Sequence, residues 1–334
     1  MQKLRSFHRS VLTLAGVVAL TMLSVSALSV ASEAATKVTI RLDWKAGAQH
    51  SPFYLGKVKG YYTQQGIDLT IIPGSGSSDS VKQVGTGAVD LALVDALVMA
   101  QALEQEVPVT SVAAYYQRSP ISIMSPKKKP VTDPKQLMEG VKLGSKKGSA
   151  TYQGLIAFLS ANNIKQEQIT LVDVGFGVQP LLVGQVDALM AFTMNEPIQA
   201  ERAGMPIQEI MIADHGVNTY GLTLAVNNEF MAEHGDIVTG FLRATKAAMV
   251  EAAKNPNAAV EAVAASIDGV DKGLELAVLA KVVPFWTSKE IEGNGYGWQT
   301  EARWQQTLTT AKTLGLIESV PEAMGMFTNT HLNK

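Results

Sequence analysis

The sequence predicts an α/β protein made of two doubly wound lobes joined by two crossing segments, and three observations predict it. Short β-rich runs alternate with helix-length segments in two successive sets, the pattern of parallel sheets covered by helices. The chain has 334 residues, more than a single ordinary core organises. The first strand-to-helix corner gathers aromatic and polar side chains where the strand ends, the place where open α/β sheets hold ligands.

The first set of runs covers 38–42, 69–72, 89–94 and 109–113, with helices near 51–62, 78–84 and 97–104. At the opening helix Ser51 is read as N-cap, Pro52 fits the first helical position, and Gly66 is placed to end the element in a left-handed conformation. The second set comprises 142–144, 169–172, 188–191 and 207–212, with helices near 151–162, 178–184 and 197–202. Tyr116 and Tyr220 lie in the segments that connect the sets, each leading into a further β-rich run. After Asn228 the pattern is helical, over 236–253, 258–265, 272–282 and 301–314, and these helices are expected on the first lobe. The resulting division is 35–118 with 222–334 as lobe 1 and 119–221 as lobe 2.

Residues 1–34 read as a secretory signal peptide. Lys3, Arg5 and Arg9 precede an apolar run from Val11 to Val30, followed by small residues at Ala31 and Ala34. The run is near the length of a membrane anchor, but its Ser and Thr residues weigh against that alternative. The net charge of −2 gives no electrostatic reason to bind nucleic acid. With no Cys, the chain has no disulfide, thiolate metal site, cysteine nucleophile or lipidated N-terminal Cys, so a free periplasmic protein is expected. A composition 46% hydrophobic and 17% charged belongs to a well-packed globular protein.

Several residues stand where a ligand would sit. Gly74-Ser75-Gly76-Ser77-Ser78 follows a strand and opens a helix, so its N–H groups and the helix dipole favour a polar or anionic group. It is neither a P-loop nor a dinucleotide fingerprint, and a plain glycine-rich turn capped by Ser77 or Ser78 fits equally. A matching helix start is Gly148-Ser149, with Lys146 and Lys147 beside it. Trp44 either stacks on a planar ligand or fills the core, and His50, with no second ligand-spaced His or acid, suggests no metal. Glu196, between Asn195 and Pro197, is either a stabilising acid in a first helical turn or a carboxylate for a ligand amino group. Asp95 and Asp214 occupy comparable strand ends. No nucleophile elbow or zinc-protease motif supports catalysis.

Leu42-Asp43-Trp44, His50, Phe53-Tyr54, Gly60-Tyr61-Tyr62 and Gly66-Ile67-Asp68-Leu69 together resemble the solute-binding proteins of ATP-binding cassette importers that carry thiamine pyrimidine precursors, riboflavin, nitrate, taurine and sulfonates. The resemblance extends through the glycine-serine loop, Gly87-Ala88-Val89-Asp90 and Asn195-Glu196-Pro197, over roughly Lys37 to Leu316. It is closer to the pyrimidine-precursor branch than to the sulfonate branch. One departure is the segment Ala46-Gly47-Ala48-Gln49, where that branch has an Asn-containing sequence.

The resemblance implies a type II periplasmic binding fold, a small planar heterocycle in the interlobe cleft, a membrane permease as partner, a monomer and no cofactor. It places Trp44, His50, Phe53, Ser75, Gly76, Ser77, Asp95, Tyr116, Lys147, Ser149, Asn195, Glu196, Asp214 and Tyr220 in the ligand site, with Trp44 stacking and His50 and Glu196 bonding ring substituents. The competing binder is one for nitrate, taurine or an alkanesulfonate, held by Arg118, Lys146 or Lys147. A pyrimidine-forming enzyme of related fold is the third reading. Such enzymes carry a cysteine-rich motif around iron, and this chain has no Cys.

Overall fold

Strands form where runs of β-branched and aliphatic residues are bounded by turns, and they gather into two five-stranded sheets. The computed structural model describes residues 34–332, so the expected leader, apart from its last residue Ala34, falls outside the described residues. In chain order the strands are β1 (Thr36–Arg41), β2 (Ile67–Ile72), β3 (Leu91–Asp95), β4 (Val109–Ala114), β5 (Ile121–Pro126), β6 (Lys142–Ser145), β7 (Thr170–Asp173), β8 (Ala188–Phe192), β9 (Ile207–Met211) and β10 (Leu222–Asn227). The first sheet has the order β2-β1-β3-β10-β4 and the second β7-β6-β8-β5-β9. Both faces of β3 and β10 are buried, which is why β3 reads as a nearly continuous apolar run with little alternation.

The sheets are mixed, which corrects the expectation of purely parallel ones. β10 runs antiparallel to β3 and β4, and β5 runs antiparallel to β8 and β9. The cause is topological. β4 and β9 end at the side where the ligand cleft lies, so a chain crossing directly to the other sheet enters at that same end and must run away from it.

The helices are α1 (Ser51–Val58), α2 (Ser77–Gly85), α3 (Ala96–Glu104), α4 (Ala150–Ala161), α5 (Gln179–Leu182), α6 (Glu196–Arg202), α7 (Asn228–Glu233), α8 (Gly235–Lys254), α9 (Pro256–Ala264), α10 (Lys272–Val282) and α11 (Glu301–Thr313). α1, α8, α9 and α10 bury Phe53, Phe241, Val260 and Leu279 against Ile40, Leu93 and Leu224 of the first sheet. α11 departs from the expectation that the C-terminal helices serve the first sheet alone. Its Trp304 and Leu308 join one apolar cluster with Leu97 of α3 and with Leu155 and Phe158 of α4, which follows β6 of the second sheet.

Two helix boundaries also differ from expectation. A 3-10 turn over Ala48–His50 runs straight into α1, and the Ser51 N–H donates to Ala48 O, so His50 takes the N-cap position and Ser51 is already helical. α1 then ends at Val58, and Gly66 with φ 71° closes a separate 3-10 turn, Thr63–Gln65. At α2 the N-cap is Gly76, one residue before the expected serines.

Candidate functional site

The carboxyl ends of the parallel strands of both sheets face one cleft enclosing about 800 Å³, part of it open to solvent. β1 delivers Asp43 and Trp44, the loop after β2 Gly76 and Ser77, and β4 Tyr116. From the second sheet come Ser145 and Lys146 at the end of β6, Gly175, Phe176 and Gly177 after β7, and Phe192, Asn195 and Glu196 at and after β8. Leu189, Met190 and Met194 give the cleft an apolar wall.

Two rings meet across this space. Trp44 and Phe176 lie with centroids 4.4 Å apart at 64°, an edge-to-face contact that ties the loop after β1 to the loop after β7. Phe176 is still 52% exposed, which leaves ring surface for a planar guest.

Buried polar groups supply direction. Tyr116 and Ser145 line the cleft, and their hydroxyls are buried with no hydrogen-bond partner. Burial holds the Tyr116 phenol well above its ordinary pKa, so it remains a neutral hydroxyl able to donate. Asp43 Oδ1 lies 2.8 Å from His50 Nε2, and Asp43 lines the cleft while the imidazole is wholly buried behind it. Glu196 begins α6, where its Oε2 accepts the Phe192 N–H at 3.0 Å, and burial raises its carboxyl pKa above the usual range. Lys146 is the single Lys or Arg lining this cleft among the described residues, and the acids Asp43 and Glu196 line it as well. Unsatisfied hydroxyls plus two carboxylates suit a ligand bearing N–H donors and ring acceptors.

The structure brings together Trp44, Gly76, Ser77, Tyr116, Ser149, Asn195 and Glu196 of the expected residues. Ser149 is the N-cap of α4, accepting the Tyr152 N–H, while Asn195 makes no side-chain cap bond at α6. The other seven do not line the cleft. His50 is wholly buried and bonds Asp43 through Nε2 while its Nδ1 has no partner, and Phe53 is a core ring stacked on Tyr115 and near Phe241. Ser75 is exposed and bonds Asp79 at 2.9 Å. Asp95 is buried and caps α3 through the Leu97 N–H. Lys147 points to solvent and its N–H donates to Asp173, which leaves the adjacent Lys146 on the cleft. Asp214 pairs with Arg118 at 2.8 Å, and both side chains of this pair are exposed. The Tyr220 hydroxyl accepts the Thr300 N–H at 2.8 Å and its ring packs near Trp304.

The glycine-serine loop is also less of an anion cradle than its composition suggests. The Gly74 N–H donates to Trp44 O and the Gly76 N–H to Asp43 O, both at 2.9 Å. The loop thereby holds Asp43 and Trp44 in place. Gly74 is obligatory there, because a Cβ would lie 1.9 Å from Leu42 O.

Asp43, Gln49, Ser145 and Phe176 are cleft residues that sequence reasoning did not single out as ligand contacts, and Lys146 is one it named only for an anionic ligand. Phe176 carried a usable signal, an aromatic between two glycines directly after a strand. Among the described residues no cluster of His, Asp and Glu is arranged to hold a metal ion, and no helix is long and apolar enough to cross a membrane.

Comparison with known proteins agrees with this architecture. The chain is 24% identical over 301 residues to a riboflavin-binding protein of Chloroflexus aurantiacus, covering 88% of this chain and 85% of the relative. It is 26% identical over 282 residues to a formylaminopyrimidine-binding protein of Halalkalibacterium halodurans, covering 83% and 85%. A 4-amino-5-hydroxymethyl-2-methylpyrimidine phosphate synthase of Saccharomyces cerevisiae is 26% identical over 230 residues, covering 64% and 66%. Among solved structures, the periplasmic nitrate-binding protein of Synechocystis superposes with a TM-score of 0.68 at 12% identity, covering 87% of this chain and 84% of that one. The aliphatic sulphonate binding protein of Escherichia coli does so at 0.66 and 13%, covering 87% and 92%. The fold is that of the periplasmic binding proteins. The model for "NMT1/THI5 like" proteins matches residues 47–259, and the chain belongs to that family.

Proposed function

We propose that the chain is the substrate-binding component of an ATP-binding cassette importer, closing on a small planar heterocycle such as a thiamine pyrimidine precursor or a related aromatic and presenting it to a membrane permease. The observation that carries this reading is the pairing of Trp44 and Phe176 over a cleft whose polar groups are Asp43, Glu196 and the unpartnered hydroxyls of Tyr116 and Ser145. A flat ring slides against aromatic faces, its amino group donates to a carboxylate, and its ring nitrogens accept from the hydroxyls. The two relatives named for heterocycle ligands support the same class.

An anion binder is the weaker alternative. Arg118 is paired with Asp214 and Lys147 faces solvent, so Lys146 alone offers a cation against Asp43 and Glu196. Catalysis is weaker still as a reading: the pyrimidine synthases match a shorter part of the chain, and this sequence has no Cys for the iron motif expected of them. Assay of the purified protein for turnover and bound iron separates an enzyme from a binder.

In this account 35–118 with 222–334 and 119–221 act as two lobes that rotate about the crossings on ligand capture. The protein acts as a monomer in the periplasm, exported by the leader over 1–34. A thermal-shift screen of aminopyrimidines and flavins against alkanesulfonates and nitrate tests the assignment, since ligand at 100 times its Kd stabilises by about 2.7 kcal/mol.

A further inference from the structure

We infer that α10 is the latch of the cleft: it holds ligand-bearing segments from both sheets, and Arg202 and Asp271 are the pair that keeps its seam with α6 shut and α6 in position. The inference rests on reading the cleft as a ligand site and adds the element that controls entry and release. α10 belongs to the first sheet's side, where its Val278, Leu279 and Val282 join the apolar cluster of Ile40, Leu93 and Leu224. α6 follows β8 of the second sheet and starts with Glu196. A chamber next to the cleft shares Trp44, Phe176, Asn195 and Glu196 with it and is walled by Gln199 of α6 and by Leu274, Glu275 and Val278 of α10. Parting α6 from α10 therefore opens the cleft through this chamber.

Two acids one helical turn apart on α10 each hold one of these segments. Glu275 accepts the Ala48 N–H, within the stretch that carries Trp44 and Gln49. Asp271 divides its oxygens: Oδ1 caps α10 by accepting the Leu274 N–H at 3.0 Å, and Oδ2 accepts from Arg202 in the last turn of α6. Met194 and Ile198, from the second sheet's side, are buried in the same apolar cluster as α10. Lys281, in the last turn of α10, lies 3.8 Å from Glu209 of β9. The seam thus has an apolar middle, which drives contact without fixing register, and an ion pair towards each end of α10, which fixes it. Arg202 and Asp271 are both about half exposed, and the α10 cap uses the other Asp271 oxygen, so neither side needs the pair in order to fold. What the pair biases is the equilibrium between parted and closed helices, where a change of about two- to fivefold is within reach of an exposed ion pair.

The chain has no Cys, so Glu201→Cys on α6 and Ala277→Cys on α10, both at exposed positions, give one spin-label pair across the seam. Pulsed dipolar spectroscopy on the ligand-free protein should show a short-distance population that Arg202→Gln and Asp271→Asn each convert in part to longer distances, raising the long-to-short ratio about two- to fivefold. Arg202→Lys should retain the native distribution, and the double variant should exceed neither single one. Raising the salt from about 0.05 M to about 1 M should shift the native protein more than either variant. In stopped flow, 4-amino-2-methylpyrimidine as the probe of the cleft should leave the two single variants about two- to fivefold faster than the native protein, with association little changed. Identical distance distributions in the native protein, Arg202→Gln and Asp271→Asn overturn the latch whether or not the probe binds. Shifted distances with unchanged release overturn it as well, because the seam would then not control the cleft. A probe that fails to bind the native protein counts against the heterocycle reading, and the distances alone then decide the latch.

Discussion

His50 Nε2 lies 2.8 Å from Asp43 Oδ1, with the imidazole fully buried and the carboxylate on the cleft. A buried ring behind a ligand-facing acid fixes that acid's orientation, as outer-shell partners do for other functional groups. Asp43→Asn should therefore weaken ligand binding by about 1.5–3 kcal/mol, the range for a hydrogen bond to a charged group. His50→Gln, which retains a donor, should cost less than His50→Ala. Calorimetry on the three variants measures this, and equal affinity in all three would show that Asp43 does not touch the ligand.

Asp95 makes stability depend on pH. Burial, aided by the Asp43 charge, pushes its carboxyl from the ordinary 3.8 up to about 7. Between those values the folded chain holds a proton that the unfolded chain has released, so this group makes stability fall as pH rises from about 4 to 7. Asp95→Asn keeps an oxygen acceptor for the Leu97 N–H and removes the charge. The variant should match the native protein below about pH 4 and exceed it at pH 8 by about 1–4 kcal/mol, read from urea midpoints. A native profile unchanged by the substitution would place the titration elsewhere.

Trp44 and Phe176 should contribute separately to ligand affinity. By analogy with base stacking, Trp44→Ala and Phe176→Ala should each cost about 1–3 kcal/mol for a planar ligand, while a small tetrahedral sulfonate would lose much less. If the two proposed lobes close on capture, X-ray scattering on the native protein should report a smaller radius of gyration at saturation. An unchanged radius would count against rotation about the crossings.

Gly74→Ala is expected to destabilise the fold and loosen the site together. The added methyl would meet Leu42 O at 1.9 Å, and the loop that must shift is the one whose N–H groups hold Asp43 and Trp44. A loss of about 2–4 kcal/mol in stability is the expected scale for a backbone collision of this kind. Unchanged denaturation would show that the loop adapts freely.

Much of the fold was legible because strand and helix periodicities are local. Alternation along β2, the continuous apolar run of β3 and the cap-rich starts of α3 and α4 all announce themselves within a few residues. The direction of β5 and β10 was not, because it follows from which end of a sheet the crossing chain enters. At the site, Trp44, Asn195 and Glu196 stood out by type and position after strands. Lys146 and Lys147 are the same residue type side by side, and only the bond from the Lys147 N–H to Asp173 and the left-handed turn at Gly148 decide which one meets the cleft. His50 lies behind the cleft wall for a similar reason. A 3-10 turn swings its ring inward onto an acid seven residues earlier, a contact that no residue spacing reveals.

Glu196 offers the most direct test of what the cleft binds. Calorimetric titration of the native protein and Glu196→Gln with an aminopyrimidine and with an alkanesulfonate should show tight binding of the heterocycle alone, weakened by about 1.5–3 kcal/mol in the variant. Because burial raises the Glu196 pKa, native affinity should fall as the pH is lowered through that raised value, and the variant should respond less. Tight binding of the sulfonate, unchanged or improved by Glu196→Gln, would contradict the heterocycle account.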